Sequence, residues 1–192
     1  MMVRHGASQI ILAVRNLEKG KAAVKDIQAT TLCSADTLQV WHLDMSSYAS
    51  VVTFADRVKS ELSRLDVFLG NAGLISQTFR MTEENEEQIT TNVVSTTFLG
   101  FLIHPKLHET AVKFNTQTYF TVTGSELYEF AKFKESKAPN GKIFATLNDQ
   151  KTANMGDRYG LSKLLVLFAV KQMATMSPVA SSGVVVNAVA PG

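Results

Sequence analysis

Tyr159 and Lys163, four residues apart in the segment Arg-Tyr-Gly-Leu-Ser-Lys, are the pair in this sequence best suited to acid–base chemistry. Residues four apart share one face of a helix. A free tyrosine has a pKa near ~10, and a cation held beside its phenolate lowers that pKa. Lys163 can supply the cation, so the spacing is consistent with a phenol that donates or accepts a proton. The same spacing also occurs on exposed helix faces that do no chemistry. Other residues of the chain are therefore needed to show whether this pair is catalytic.

The composition favours one ordinary globular domain over residues 1–192. The chain is 45% hydrophobic, which is enough for a real core, and its 19 basic and 17 acidic side chains give a net charge of +2. That balance argues against a nucleic-acid partner or a charged membrane surface. The single cysteine, Cys33, excludes an intrachain disulfide and a cysteine-based metal site. No signal-like segment or membrane-length apolar run occurs, so the sequence predicts a cytoplasmic protein without a membrane span.

Short apolar runs alternate with longer helical patterns, which is typical of a parallel sheet with crossover helices. The sequence therefore predicts one α/β unit of five strands and about four helices, without internal repeats. The predicted strands are Gln9–Val14, Leu38–Leu43, Asp66–Gly70, Thr118–Thr123 and Gly183–Ala188. Three of the predicted helices are Leu17–Ala29, Tyr48–Ser63 and Asp157–Met176.

An acidic run precedes the longest helical pattern. Thr82 is followed by four glutamates within the next five residues, which predicts an N-terminal cap and a solvated, negatively charged start to a helix reaching about Phe114. The stretch 126–150 carries turn residues and predicts a mostly irregular excursion.

Polar and small residues follow four of the five predicted strands. In an open parallel sheet, ligands bind beyond the carboxyl ends of the strands, near the point where the strand order reverses. Taken together, these residues indicate a ligand site more specifically than any one of them does. The strand ends are followed by Arg15-Asn16, Asp44-Met45, Asn71-Ala72-Gly73 and Ser125.

These residues, with Tyr159, Lys163 and the final Pro191-Gly192, resemble the short-chain dehydrogenase/reductase family in order and approximate spacing. The resemblance spans nearly the whole chain, from Ala7 onward, and is closest to the branch of retinol dehydrogenases and fungal reductases of secondary metabolism. It implies a Rossmann-like, doubly wound parallel sheet with helices on both faces. It also implies an NADP-dependent oxidoreductase that interconverts a carbonyl and a secondary alcohol by hydride transfer.

The resemblance assigns catalytic roles to four residues. Tyr159 would give a proton to the carbonyl oxygen or take one from the alcohol, and Lys163 would lower the pKa of that phenol and hold the nicotinamide ribose. Ser125 would hydrogen-bond the substrate oxygen, although Gly124 stands where many relatives have another serine. Asn92 would hold a water in the proton path to Lys163. Its alternative role is that of a hydrogen-bonded amide inside a helix.

The resemblance also assigns cofactor-binding roles to Arg15, Asp44, Asn71, Tyr159 and Lys163. Arg15 follows the strand at a position where an acidic residue favours NAD, whereas an arginine accepts the 2′-phosphate of NADP. The alternative is that Arg15 is a solvated strand end. Asp44, with the backbone of Met45, would bind the adenine amino group. Asn71 and Gly73 would let the backbone approach the cofactor ribose, because glycine has no side chain to collide with it.

No metal site is predicted. His104 and His108 have a spacing that can bring two imidazoles to one metal, but Pro105 intervenes and no glutamate follows His104 as a zinc-protease motif requires. The family needs no metal there. The implied partner is a small carbonyl or alcohol substrate, and a homodimer is one assembly that the resemblance implies.

The family's first strand, glycine-rich turn and first helix are largely missing from the sequence, as is its C-terminal substrate segment. Met1 to Gly6 resembles the tail of that helix. The missing strand would lie between those that carry Arg15 and Asn71. Without it, the sequence predicts that the sheet closes up or that two strand edges stay open. Three functions therefore stand: an NADP-dependent oxidoreductase, a truncated cofactor-free relative that acts as a partner protein, and a catalyst of non-redox chemistry on the same scaffold.

Overall fold

The computed structural model describes residues 2–191, which fall into two compact units, the first ending at Asp44 and the second beginning at Met45. The resemblances drawn at Met1 and Gly192 lie outside the described residues. A single domain over the whole chain stays a prediction, and each unit is described by itself.

The first unit is a two-stranded parallel sheet covered by one long helix. Its β1 and β2 pair in register from Ile10 opposite Leu38 to Val14 opposite His42. A Cβ atom on Gly20 would lie 2.6 Å from a methyl carbon of Val40, so the helix packs this closely on the strands only because residue 20 is glycine. The elements are a 3₁₀ helix Met2–His5, β1 Ile10–Val14, α1 Leu17–Thr31, a 3₁₀ helix Ala35–Thr37 and β2 Leu38–His42.

The second unit is a three-stranded parallel sheet, in the order β3-β6-β7, with helices and a small hairpin. Its strands are β3 Val67–Gly70, β4 Met81–Thr82, β5 Asn85–Glu86, β6 Thr118–Thr123 and β7 Val184–Val189. Its α-helices are α2 Tyr48–Glu61, α3 Thr96–Phe114, α4 Ile143–Leu147, α5 Met155–Met176 and α6 Val179–Ser182. A π-helix spans Ile89–Ser95, and 3₁₀ helices span Glu126–Phe130 and Lys134–Lys137.

The structure confirms the predicted Rossmann-like α/β class and places all five predicted strands within one or two residues of their expected ends. Within residues 2–191, β1 pairs only with β2 and β3 only with β6, so each parallel sheet ends on a strand that has one partner. Of the two outcomes expected for the missing strand, open edges are the one observed. Val67 and Leu69 of β3 are 46% and 44% exposed, although both are apolar.

The predicted start of the long helix at Thr82 is wrong. Residues 81–86 instead form an antiparallel hairpin, with Thr82 opposite Asn85. Glu83 lies in its turn in the left-handed region, at φ 54°, and its carboxylate accepts a hydrogen bond from the backbone N–H of Tyr48, 2.9 Å away. This carboxylate therefore caps α2 and not the long helix, which begins at Glu87 and continues as a π-helix from Ile89.

The acidic run is also not a uniformly solvated helix start. Glu83 and Glu84 are exposed, but the side chain of Glu86 is completely buried. A charged residue is buried in a fold only when hydrogen bonds or an opposite charge compensate its lost hydration. Glu86 has both, as its surroundings in the candidate active site show.

The core of the second unit lies between its sheet and the helices α3 and α5. Phe120 of β6 is 1% exposed, and its ring stacks on that of Phe68 with centroids 5.7 Å apart. A Cβ atom on Gly100 would lie 2.7 Å from the Phe120 ring, so α3 lies directly on it. Fully buried side chains of α3 surround this contact: Leu99, Ile103 and Leu107. No helix among residues 2–191 has the length and apolar character needed to cross a membrane.

Candidate active site

The end of strand β6 joins a buried lysine of α5 to the residue that follows β3. Lys163 Nζ donates a hydrogen bond of 2.7 Å to the backbone carbonyl of Thr123, the last residue of β6. The hydroxyl of Thr123 donates in turn to Asn71 Oδ1, 3.0 Å away. Because β3 and β6 are parallel neighbours, their carboxyl ends meet at one edge of the sheet, where a ligand of such a fold is expected.

Tyr159 lies beside Lys163 on α5, as the spacing predicted. Lys163 Nζ is 5.7 Å from the centroid of the Tyr159 ring, and the phenol is half-buried, whereas Lys163 is 6% exposed. Burial lowers the pKa of Lys163 from its ordinary value of 10.5. The lowered pKa makes a proton on Nζ easier to exchange than one on a solvated lysine.

Asn92 joins the loop after β3 to helix α5. Its amide nitrogen donates to the carbonyl of Leu74 and to Ser162 Oγ, both at 2.9 Å, and its Oδ1 accepts from Leu74 N. Ser162 Oγ donates to the carbonyl of Tyr159, 2.7 Å away. Asn92 lies in the middle of the π-helix, a rare conformation found most often at functional sites. These bonds match the alternative role of a hydrogen-bonded amide, and the relay role stays a prediction.

Gly73 leaves open space between Asn92 and Lys163. A Cβ atom at this position would lie 3.2 Å from Asn92 Oδ1 and 3.6 Å from Lys163 Nζ. The two polar atoms therefore face the same backbone position from two different elements. A side chain at residue 73 would fill this space, which explains why a glycine suits the Asn71-Ala72-Gly73 segment.

Ser125 follows β6 and caps the 3₁₀ helix Glu126–Phe130. Its hydroxyl oxygen accepts from the N–H of Leu127 at 3.3 Å, which leaves the hydroxyl hydrogen available to another acceptor. This 3₁₀ helix lies against α5, because a Cβ atom on Gly160 would be only 2.7 Å from the Leu127 carbonyl oxygen. The segment that carries Ser125 thus packs on α5 next to Tyr159.

Arg15 and Asp44 belong to the first unit, at the carboxyl edge of its sheet. Arg15 is exposed and directly follows β1, and Asp44 is half-buried and follows β2 by one residue. The backbone N–H of Leu43 donates to the carbonyl of Val14 at 3.0 Å, which keeps the two strand ends together. The other predicted site residues, Asn71, Asn92, Ser125, Tyr159 and Lys163, belong to the second unit.

A buried ion pair next to this site was not predicted from the sequence. Arg158 and Glu86 are both 0% exposed, with 3.7 Å between Arg158 Nε and Glu86 Oε2. Arg158 also donates to the carbonyl of Leu147 at 2.9 Å, and the Glu86 carboxylate accepts from the N–H groups of Gln88 and Ile89. Burial raises the pKa of Glu86, and the backbone donors and Arg158 oppose this only in part. The one sequence signal that could have drawn attention to Arg158 is that it directly precedes Tyr159.

The raised pKa of Glu86 makes the stability of the fold depend on pH. Above 4.5, the ordinary value for glutamate, the folded state holds the proton on Glu86 longer than the unfolded state does. The contribution of this group to the free energy of unfolding is therefore fully present below 4.5 and is lost as the pH rises through the folded pKa. We expect the stability of the wild type relative to Glu86→Gln to fall over that range, as measured by urea unfolding at several pH values.

The matched control for this prediction is Glu84→Gln, two residues away in the hairpin turn. Glu84 is exposed, so its replacement is expected to leave the pH profile of unfolding unchanged. A difference between wild type and Glu86→Gln that stays constant from about pH 4 to about pH 8 would contradict the assignment.

The two histidines considered as metal ligands are bound to serine residues. His104 Nε2 lies 2.8 Å from Ser177 Oγ, and His108 Nδ1 lies 2.7 Å from the carbonyl of Ser182. In the part of the chain that the structure describes, no three histidine, cysteine, aspartate or glutamate side chains are grouped so that they could hold a metal ion.

Sequence comparison gives the class of this protein. The family model of the short chain dehydrogenases matches residues 1–192, and the chain therefore belongs to this family. It is 46% identical over 192 residues to the short chain dehydrogenase/reductase dmxR8 of Cryptosporiopsis sp., and 36% identical over 193 residues to the short chain dehydrogenase atnD of Emericella nidulans. These matches cover 99% of this chain but only 59% and 60% of the two relatives, so the chain spans about 60% of their length.

Solved structures support the same fold. A crystal structure of a protein from Mycobacterium paratuberculosis is 26% identical with a TM-score of 0.74, and the match covers 98% of this chain and 60% of that one. A short-chain dehydrogenase from Sphingobium yanoikuyae, in complex with NADPH, is 18% identical with a TM-score of 0.68 over 97% of this chain and 62% of that one. At that identity the similarity shows the fold alone.

Proposed function

We propose that this protein is an NADP-dependent oxidoreductase that interconverts a carbonyl and a secondary alcohol, with Tyr159 as the proton donor or acceptor. The observation that carries the proposal is the position of Tyr159 beside the buried Lys163, whose ammonium is tied through Thr123 to Asn71 at the carboxyl edge of the sheet. The chain spans about 60% of the length of its curated relatives, and this activity is therefore a proposal.

The residues present suit the nicotinamide ribose end of the cofactor. Lys163 can donate to a ribose hydroxyl, Asn71 offers both a donor and an acceptor, and Gly73 leaves space that a Cβ atom would fill. In the first unit, Arg15 and Asp44 are the residues proposed for the 2′-phosphate and the adenine. When bound, NADP would supply the hydride acceptor, and NADPH the donor, that no amino-acid side chain can provide.

The chain's own residues would donate and accept the proton that is transferred in the reaction. In the reducing direction, the Tyr159 hydroxyl donates to the substrate oxygen as its carbon gains hydride, and the phenolate regains a proton by way of Lys163. The Ser125 hydroxyl hydrogen is available to the same substrate oxygen and would stabilise the negative charge that develops there. In the oxidising direction Tyr159 accepts the alcohol proton. The lowered pKa of Lys163 suits a group that repeatedly passes a proton on.

Arg15 gives the experiment that tests the cofactor. Replacing Arg15 with alanine removes a charge-assisted hydrogen bond to the 2′-phosphate, a contact of about 1.5–3 kcal/mol. We expect NADPH affinity to fall roughly 10- to 100-fold and NADH affinity to change little. Fluorescence titration of the purified protein with both cofactors measures this directly.

The matched control is Arg4→Ala, another exposed arginine of the first unit, which is expected to change neither affinity. Equal losses for NADPH and NADH in Arg15→Ala would overturn the role of Arg15. No NADPH binding by the wild type at millimolar cofactor would overturn the proposed function of this chain.

The exposed apolar side chains of β3 favour a second candidate, a cofactor-free relative that acts as a partner protein. An exposed apolar strand edge can bind a strand of another chain, and Val67 and Leu69 lie on such a strand. Absence of nicotinamide binding, together with a stable complex with another protein, would support it. Turnover with no nicotinamide present would instead assign non-redox chemistry to the site.

The finer features of the proposal follow from the resemblance. The substrate is proposed to be a small carbonyl or alcohol compound of fungal secondary metabolism, and the location to be cytoplasmic. A homodimer is proposed to form through the helices π-helix–α3 and α5. Phe101 of α3 and Phe168 of α5 are 48% and 50% exposed, which supports an apolar contact there. Light scattering of the purified protein would give its mass in solution.

A further inference from the structure

The buried pair Arg158–Glu86 lies beneath the first turns of α5. Arg158 directly precedes Tyr159 in this helix. Its guanidinium reaches Glu86 of the hairpin, 3.7 Å away, and donates to the carbonyl of Leu147, the last residue of α4. One side chain thus connects three elements of the second unit at the point where the helix presents its tyrosine.

Stability alone does not account for this pair. Two of the three guanidinium nitrogens of Arg158, Nε and Nη1, have no hydrogen-bond partner, and the shortest described contact with Glu86 exceeds hydrogen-bond length. A buried charge that is incompletely bonded destabilises a fold, and an apolar pair of similar volume is often at least as stable. The directional contact is the hydrogen bond from Arg158 to the Leu147 carbonyl, and the charge of Glu86 attracts the same guanidinium from the hairpin. Together these contacts attach α5 to two other elements.

The same face of α5 is held at two successive turns. Arg158 and Ser162, four residues apart, contact Glu86 and Asn92, which lie on one continuous stretch of chain that leads into the π-helix. Tyr159 follows Arg158 by one position and therefore lies about 100° further around the helix. Fixing the face that carries Arg158 and Ser162 fixes the rotation of the helix about its axis, and with it the direction of Tyr159.

A small rotation of α5 about its axis moves the tips of its side chains by a distance that affects catalysis. A side-chain tip lies about 5–6 Å from the helix axis, so a rotation of about 10° moves it by about 1 Å. A displacement of that size at a reacting group can reduce a rate by about 10²-fold. The contact of Lys163 with Thr123 is therefore sensitive to the rotation of this helix, and Tyr159, which turns together with Lys163, moves relative to the end of β6.

We propose that Arg158 and Glu86 are positioning residues, which set the rotation of α5 and so hold Tyr159 and Lys163 in place relative to the end of β6. Neither side chain is placed in contact with substrate or cofactor. The catalytic consequence of the pair rests on the proposed oxidoreductase function. The effect of the pair on the position of Tyr159 can be measured without any turnover.

The experiment uses nuclear magnetic resonance of protein labelled with ¹³C at the tyrosine ζ carbon. The chain has four tyrosines, and Tyr159→Phe identifies the signal of Tyr159. Arg158→Met removes the cation and keeps an apolar side chain, and the double variant Glu86→Gln with Arg158→Met also removes the buried carboxylate. We expect the chemical shift of the Tyr159 signal to change in both variants. We expect only the double variant to recover wild-type resistance to urea, because it leaves no unpaired charge buried.

The stability control is Val51→Ala, a truncation of a fully buried side chain in α2. It is expected to lower resistance to urea without changing the Tyr159 signal, so loss of stability and loss of position are measured separately. In turnover assays, kcat of the double variant is expected to fall roughly 10- to 100-fold while KM changes by less than about threefold.

An unchanged Tyr159 signal in the folded double variant would overturn the inference. If the double variant fails to fold, Glu86→Gln alone, which keeps the shape of the side chain, decides in the same way. A wild type without nicotinamide-dependent turnover would overturn the proposed function, and the Tyr159 signal alone would then decide whether the pair positions the phenol.

Discussion

Replacing Tyr159 with phenylalanine is expected to lower kcat by about 10²–10⁴-fold while the affinity for NADPH stays within a few-fold of wild type. The substitution removes one oxygen and keeps the ring that lies 5.7 Å from Lys163 Nζ. The half-buried ring leaves little new cavity, so the fold is expected to persist. The loss would appear in kcat and in kcat/KM alike, because a proton transfer is made only in the transition state. Steady-state rates and fluorescence titration with NADPH measure the two effects.

Tyr128→Phe is the matched control for this variant. Tyr128 lies on the 3₁₀ helix that packs against α5, and its hydroxyl donates a hydrogen bond to the neighbouring Glu129, 3.4 Å away. Its replacement is expected to change kcat by less than about threefold, since it removes one weak exposed contact. Activity of Tyr159→Phe equal to that of wild type would exclude Tyr159 as the proton-transfer residue. Lost NADPH binding would instead indicate that the phenol holds the cofactor.

The strands of this fold could be predicted because their signals are local. The run Val-Val-Val at β7 indicates a buried parallel strand, and the alternation in Tyr-Phe-Thr-Val at β6 indicates a half-buried strand. Both strands are found where expected. The long-helix start was missed because its signal belonged to another helix. Glu83 does act as a helix-capping carboxylate, but it caps Tyr48, which lies 35 residues earlier in the chain. Local spacing cannot show which helix end a carboxylate reaches.

The residues of the candidate site were likewise predictable only where their signal is local in sequence. Tyr159 and Lys163 were found from their spacing on one helix, and Ser125 and Asn71 from their places after strands. The pair Glu86–Arg158 was not found, because the two residues are far apart in sequence and each has an ordinary alternative on an exposed helix face. The bond between Asn92 and Ser162 spans 70 residues and depends on a π-helix, which periodicity at 3.6 residues per turn does not predict.

The contacts of β6 with α3 are important for the stability of the second unit. β6 is the central strand of the three-stranded sheet, and its side chains pack between that sheet and α3. Phe120 is the largest apolar side chain among those less than 2% exposed, and it meets Gly100 on one side and Phe68 on the other.

Phe120→Ala is therefore expected to lower the free energy of unfolding by about 3–5 kcal/mol, the range found for large-to-small changes of buried aromatic residues. A domain has a total stability of only about 5–15 kcal/mol, so this loss brings the protein close to unfolding at room temperature. Two contacts are lost together, because the ring that stacks on Phe68 also fills the space left by Gly100. Urea unfolding followed by circular dichroism measures the change.

Phe130→Ala provides the same chemical change at a side chain that is 73% exposed. It is expected to shift the free energy of unfolding by no more than about 0.5 kcal/mol, since little apolar area returns to water. If the two variants unfold at the same urea concentration, Phe120 does not carry the packing between β6 and α3. If Phe120→Ala unfolds at a lower urea concentration, as expected, Phe120 stabilises the strand whose last residue, Thr123, binds Lys163.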